Sequence, residues 1–263
     1  MHCIPILEYH DLGSDLDDRY PSHAPYLLPM VQFEHQMTLL NSQGISTVTI
    51  DEILQGTANE KCVVLTFDDG HISNYELALP ILKHLGFRAT FFLIGERIGA
   101  AEHLSITEMR EMLRAGMEFG SHSMTHPYMD SLNESEISKE MTTSRTALQS
   151  LLHREIRHFS VPYGFYDRRA VVCARQAGYA TFLTEDFGYW KRRGAEIAVL
   201  PRITVTRGTS LREFTSLVER RAGAVAMRYA RWQALAVAKK LLGRKRYVRL
   251  RGRILGEATP RAS

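Results

Sequence analysis

The run Val63-Val64-Leu65-Thr66-Phe67, cut off by Asp68-Asp69-Gly70, constrains this chain more than any other segment. An apolar, β-branched run of that length is the signal of a buried strand. The two carboxylates fall where the strand gives out, which is where α/β folds place their chemistry. Adjacent carboxylates repel each other, and keeping both ionised beside a buried strand end is costly unless a cation compensates. A metal ion meets that need.

Around this strand the pattern alternates. Phe33, Met37 and Leu40 mark a helical face, and residues 45–50 read as a strand. A helix is predicted over 76–85 and a strand over 89–94. Helices follow over 107–115, 133–152 and 168–177, with short strands over 157–160 and 180–183. A polar, proline-containing loop is predicted from Asp11 to Pro29. Strand-helix alternation implies a parallel sheet with right-handed crossovers. With 263 residues and 44% hydrophobic content, the chain can fill one α/β barrel. It has no internal repeat and no low-complexity segment.

A second motif supplies further metal ligands. Residues 117–121 read as another strand, and they deliver His122-Ser123-Met124-Thr125-His126. On a helical turn that spacing would put both imidazoles on one face. An isolated Asp-Asp-Gly is most often a turn, and an isolated His-x-x-x-His is most often surface decoration. Each following its own strand, the two point to one site. Asp69, His122 and His126 form the ligand set, and the open positions this leaves are those of a catalytic metal. Zinc suits these donors, as do cobalt, nickel and manganese. Asp68, the carboxylate left over, is the candidate base.

These motifs resemble the polysaccharide deacetylase family, carbohydrate esterase family 4, also called the NodB homology domain. Thr66-Phe67-Asp68-Asp69-Gly70 matches its first motif and His122 to His126 its second. The resemblance implies a distorted (β/α)7 barrel, Asp68 as base and a metal, usually zinc, on Asp69, His122 and His126. In the third motif the common form has an arginine where this chain has Ser160, within Phe159-Ser160-Val161-Pro162-Tyr163-Gly164. That variant looks like the exopolysaccharide-associated branch. Asp68 then needs another partner, and Arg202 is the candidate. The family assigns the Tyr163 backbone amide to the oxyanion. No late Leu-x-His motif follows Trp190, and the last histidine is His158. The opening strand, Ile4 to His10, resembles rearranged members in which the early Tyr-His fills that role. His10 is therefore the candidate acid, against the alternative of a buried histidine that caps the strand.

The expected reaction is metal-assisted hydrolysis of an N-acetylated amino sugar, with O-deacetylation as a close variant. The reading from a different class is a non-catalytic glycan-binding or scaffolding module, motivated by Ser160 and the missing late histidine motif. Charge divides the chain at its end. Residues 220–263 hold thirteen Lys and Arg against one acid, Glu257, which leaves twenty bases against twenty-eight acids before them. Residues 1–219 are expected to form the catalytic domain and 220–263 a basic amphipathic helical tail. Helical periodicity runs from Leu211 to Leu242, and the part from Arg228 to Arg253 suits an anionic membrane surface or an assembly complex. Nucleic acid is not expected, because the acidic body opposes it. Cys3, Cys62 and Cys173 read as free thiols. The opening Met1 to Pro5 lacks a basic segment and apolar signal core. The expected location is cytoplasmic, peripheral on the inner membrane face. The expected substrates are an N-acetylated glycan, a lipid-linked sugar or a nucleotide sugar.

Overall fold

In chain order, β1 (Ile6–Tyr9) leads to a short parallel pair, β2 (Leu12–Gly13) and β3 (Leu28–Pro29), then to α1 (Met30–Ser42), β4 (Ser46–Val48), α2 (Ile50–Gln55) and β5 (Cys62–Phe67). Next come α3 (Leu79–His84), β6 (Thr90–Leu93), α4 (Ile106–Arg114), β7 (Glu118–Ser121), α5 (Glu134–Leu152) and β8 (His158–Ser160). The chain ends with α6 (Arg168–Gln176), β9 (Thr181–Phe187), β10 (Ala198–Thr204), α7 (Leu211–Val218) and α8 (Ala222–Leu255). This computed structural model describes residues 3–13, 26–191 and 197–255. Most of the loop predicted over Asp11 to Pro29 therefore lies outside the described residues, as does Glu257.

The predicted barrel is present as a closed ring of seven parallel strands. Its order is β1-β5-β6-β7-β8-β9-β10, and β1 closes it by pairing Leu7 with both Leu65 and Ile203. β4 sits outside the ring against the first half of β5. Helix starts follow local chemistry. Thr49, Ser105 and Asn133 each accept a backbone N–H three residues on, while Glu52, Glu108 and Glu136 reach back to the capping residue. Each such cap contributes about 1 kcal/mol. Thr49 also explains why the strand predicted over 45–50 stops at Val48. The helix predicted over 76–85 opens instead with a π-helical turn, Asn74–Ala78, that runs into α3.

Alternation along β5 sets the polarity of the barrel interior. Val63, Leu65 and Phe67 pack into the layer between barrel and helices, whereas Cys62 and Val64 belong to a separate inner cluster. Inside, Ile6, Val64, Phe92, Leu183 and Leu200 form an apolar plug. One step along the strands, Glu8, Thr66, Ser160 and Arg202 are all fully buried, and they bond to one another. One step further come His10, Asp68 and His122. Outside, Phe67 stacks between Tyr9 and Phe91 with centroids at 5.2 and 4.8 Å. Full burial of each such ring contributes roughly 1.5–3 kcal/mol, so the backbone that carries Asp68 rests on a rigid aromatic ladder. Gly70 is required behind it: φ is +69°, and a Cβ would lie 2.7 Å from Leu93 Cδ2.

The helical stretch expected from Leu211 to Leu242 is broken. α7 ends at Val218, Arg220 takes a left-handed φ of 59°, and α8 starts at Ala222. Arg220 donates to the Cys3 carbonyl at 2.6 Å, which pins the corner. α8 bends again at Gly243, with φ 68°. It does not leave the barrel: Arg228 donates to Glu213 and to the Thr204 carbonyl, Val225 and Trp232 pack on the core, and Tyr247 is buried against Phe165. No described helix is long and apolar enough to cross a membrane.

Candidate active site

Four non-glycine residues with left-handed backbone, Asp69, Ser123, His126 and Tyr163, converge at the carboxyl end of the barrel. Such conformations cost on the order of 1–3 kcal/mol each and persist only where the surroundings impose them. The two histidines do not share a helix face, contrary to the spacing argument. Residues 122–126 form an irregular loop in which Ser123 Oγ accepts from His126 N at 3.0 Å. Glu140 on α5 accepts from the amides of Met124 and Thr125. The turn that brings the rings together is thus held by side-chain acceptors, with ring centroids 4.8 Å apart.

Asp69 Oδ1 lies 3.5 Å from His122 Nε2 and 3.3 Å from His126 Nε2. Ligands at 2.0–2.1 Å from one tetrahedral ion would sit about 3.3 Å apart, so these separations fit a single metal. Protonation fits as well. His122 Nδ1 donates to the Ser160 carbonyl at 2.9 Å, which aims Nε2 at Asp69. Burial holds the His126 imidazole far below its usual value, at about 3, against the pull of Asp69. Burial therefore presents the His126 ring as a neutral donor. The three residues can hold a divalent ion.

Asp68 is treated differently from its neighbour. Arg202, wholly buried, donates to both of its oxygens at 2.8 and 2.7 Å, and Ser160 Oγ donates to Oδ2 at 2.9 Å. Burial pushes the carboxyl up, but Arg202, His122 and His10 outweigh it and hold it down at about 2. The arginine missing at position 160 has its guanidinium supplied from β10 instead, two strands away. Arg202 also lies 3.4 Å from Glu8 Oε1. A doubly paired carboxylate of this kind stays ionised and fixed in orientation.

His10 stands on the far side of Asp68. A ring nitrogen of His10 and carboxylate oxygens of Glu8 and Asp68 lie within 4.8 Å of one another. The His10 carbonyl accepts from Asn74, and the ring packs on Tyr26 at 4.6 Å. Tyr163 forms the opposite wall. Its ring contacts His126 at 4.4 Å and stacks on Tyr128 at 4.3 Å, and burial pushes its hydroxyl up to about 12. The left-handed φ of Tyr163 follows from the Pro162-Tyr163-Gly164 turn.

Every site residue expected from the motifs is thus brought to one mouth. Sequence reasoning missed Glu8, Tyr128 and Glu140. Glu8 had a visible signal, a lone charge inside an apolar strand. Tyr128 follows the second motif by two residues. Glu140 lies on a helix with nothing local to single it out.

The family model for polysaccharide deacetylase matches residues 55–182, the stretch that carries Asp68, Asp69, His122, His126 and Tyr163. Over 221 residues the chain is 32% identical to YxkH of Bacillus subtilis, which carries a polysaccharide deacetylase name; this covers 82% of the chain and 76% of that protein. It is 29% identical over 145 residues to a peptidoglycan-N-acetylglucosamine deacetylase of Bacillus cereus, covering 54% of this chain and 66% of the other. Among solved structures, the Streptococcus pyogenes deacetylase PplD in complex with acetate superposes with a TM-score of 0.74 at 26% identity, covering 82% of this chain and 97% of that one.

Proposed function

The chain belongs to the polysaccharide deacetylase family, and from that premise we propose that it hydrolyses the N-acetyl group of an N-acetylated amino sugar in a glycan or glycan precursor. One observation carries this reading. Of two adjacent carboxylates, Asp69 converges with two imidazoles while Asp68 is held ionised by Arg202. That division supports a metal ligand beside a base. A divalent ion on Asp69, His122 and His126, zinc by preference, would lower the pKa of a bound water and polarise the acetamide carbonyl. Asp68 takes the proton of the attacking water, and Arg202 fixes the oxygen that receives it. The Tyr163 backbone amide donates to the oxyanion. His10 protonates the leaving amine, with Glu8 close enough to steady the imidazolium. Acetate and a free amino sugar result.

The intact base, ligand and acid set supports catalysis over a glycan-binding module, because a module needs no carboxylate kept ionised in a buried pocket. The test is acetate release by zinc-loaded protein from N-acetylglucosamine oligomers, nucleotide sugars and lipid-linked N-acetyl sugars, with Asp68→Asn as blank. An O-acetylated sugar panel is run in parallel. Release from N-acetyl sugars alone, abolished by the variant, is expected. Release only from O-acetyl sugars would replace the N-acetyl reading, and no release from any would return the module.

The outer face of α8 supports a membrane-surface reading. Met227, Val237 and Leu241 are 68%, 53% and 80% exposed among basic residues, an arrangement suited to the inner face of an anionic membrane. Co-sedimentation with phosphatidylglycerol vesicles should fall for Leu241→Glu, and equal sedimentation would remove this reading.

A further inference from the structure

Between α8 and the barrel lies a cavity of about 990 Å³, at the upper end of the size range of small-molecule sites. Its inner lining is the reaction centre's own outer shell. Arg202 grips Asp68, Tyr26 packs on His10, and Gly164 follows Tyr163. Its outer lining is cationic, with Arg168, Arg207, Arg228, Arg231 and Lys239 arranged around one space. Arg228 bonds to Glu213, and Arg168 and Arg231 lie at the exposed rim. The carboxylates of the lining do not cancel the rest. Asp167 caps α6 and holds Arg169, Asp186 accepts from Tyr166, and burial beside Glu8 pushes Glu185 up to about 7. Tyr166 and Trp232 add flat apolar surface.

A neutral glycan needs no such charge, and a ring of arginines beside aromatic surface is what recognises a phosphate-bearing sugar. Resting on the deacetylase reading, we infer that this cavity binds the diphosphate of a glycosyl diphosphate, so that the N-acetyl sugar attached to it reaches Asp68 while still on its carrier. α8 is then part of the substrate site, and removing it would remove specificity. Both a nucleotide sugar and a polyprenyl diphosphate sugar present this group. The carrier's remainder would leave past the outer end of the cavity.

Arg168 and Arg231 are exposed at their outer edges and take no part in the catalytic network, so Arg168→Ala and Arg231→Ala should fold normally. Of the two tryptophans in the chain, Trp232 lines the cavity, which makes Trp190→Phe protein a fluorescence reporter of its occupancy. Binding of inorganic pyrophosphate, UDP-N-acetylglucosamine and a short-chain polyprenyl diphosphate N-acetylglucosamine would be measured, beside acetate release from each sugar and from a neutral N-acetylglucosamine tetramer. Expected are pyrophosphate binding that either sugar displaces, weakening by roughly tenfold per arginine removed, and unchanged turnover of the tetramer by both variants. The ratio of kcat/KM for the two diphosphate sugars identifies the carrier. Turnover of the tetramer with no arginine-dependent pyrophosphate binding would overturn the inference and leave the deacetylase reading standing. Arginine-dependent binding with no acetate from any sugar would keep the anion site and remove the deacetylase reading.

Discussion

The two ends of the barrel each bury a carboxylate-imidazole cluster of nearly the same dimensions. Where the strands begin, His158 Nε2 lies 3.3 Å from Glu118 Oε1 and 3.4 Å from Asp51 Oδ1. Where they finish, Asp69 Oδ1 lies 3.3 and 3.5 Å from the Nε2 atoms of His126 and His122. β7 and β8 contribute to both, with Glu118 and His158 at one end and His122 and Ser160 at the other. The ratio of groups decides what each cluster becomes. Below, two carboxylates surround one imidazole and, against the cost of burial, raise His158 to about 9. Above, one carboxylate faces two imidazoles because Asp68 is already occupied by Arg202, and burial wins at His126. The lower cluster is an imidazolium salt bridge, whereas the upper one offers lone pairs. Distance alone would have nominated both as metal sites.

The comparison breaks most sharply under metal removal. His126→Ala should lose activity and bound zinc together, with affinity falling by more than the roughly 100-fold typical of outer-sphere changes. His158→Gln should keep both. Metal analysis of the two variants by mass spectrometry checks this, and zinc lost from His158→Gln would place a metal at the wrong end. Next in size is Asp68→Asn, expected to lower kcat by about 10²–10⁴ with zinc still bound. Substantial residual turnover would transfer the base role elsewhere.

Arg202→Lys tests how Asp68 is held apart from Asp69. The lysine keeps a positive charge but not the paired geometry, so burial should raise the Asp68 carboxyl from about 2. A base with a higher pKa is lost at higher pH, and the acid limb of kcat/KM should therefore move upward. Activity at pH 5 should fall by more than activity at pH 7. An acid limb that stays in place would mean that Arg202 supports the fold without tuning the base.

How much of this was legible depended on whether a function lay in one segment. Asp68, Asp69, His122 and His126 lie in two compact motifs that each follow a strand, and the strand-helix rhythm carried the barrel. Arg202 was reachable because Ser160 left a vacancy that some cation had to fill. The loop that joins His122 to His126 is not the helical turn its spacing suggests, since its shape depends on Glu140, fifteen residues from the nearest amide it accepts. Glu118, His158 and Asp51 carry no local signal. Their chemistry appears only when three separate elements meet. The basic composition and helical periodicity of the tail are legible, and α8 is helical over Ala222–Leu255, but its packing against the barrel depends on the turn at Arg220, where no glycine or proline marks the break.

The smallest expected effect belongs to the lower cluster and concerns stability alone. An unfolded histidine titrates near 6.5, and folding raises His158 to about 9. The folded state thus binds the extra proton, and the stabilisation is complete below about pH 6.5 and is lost as pH rises through about 9. Its ceiling is on the order of 3 kcal/mol. His158→Gln should lower the midpoint of urea unfolding at pH 6 and converge on the parent protein by about pH 9.5. kcat should not change, because the apolar plug of Val64, Phe92 and Leu200 lies between His158 and the upper cluster. A deficit that stayed constant across this pH range would mean that His158 contributes by packing and not by charge.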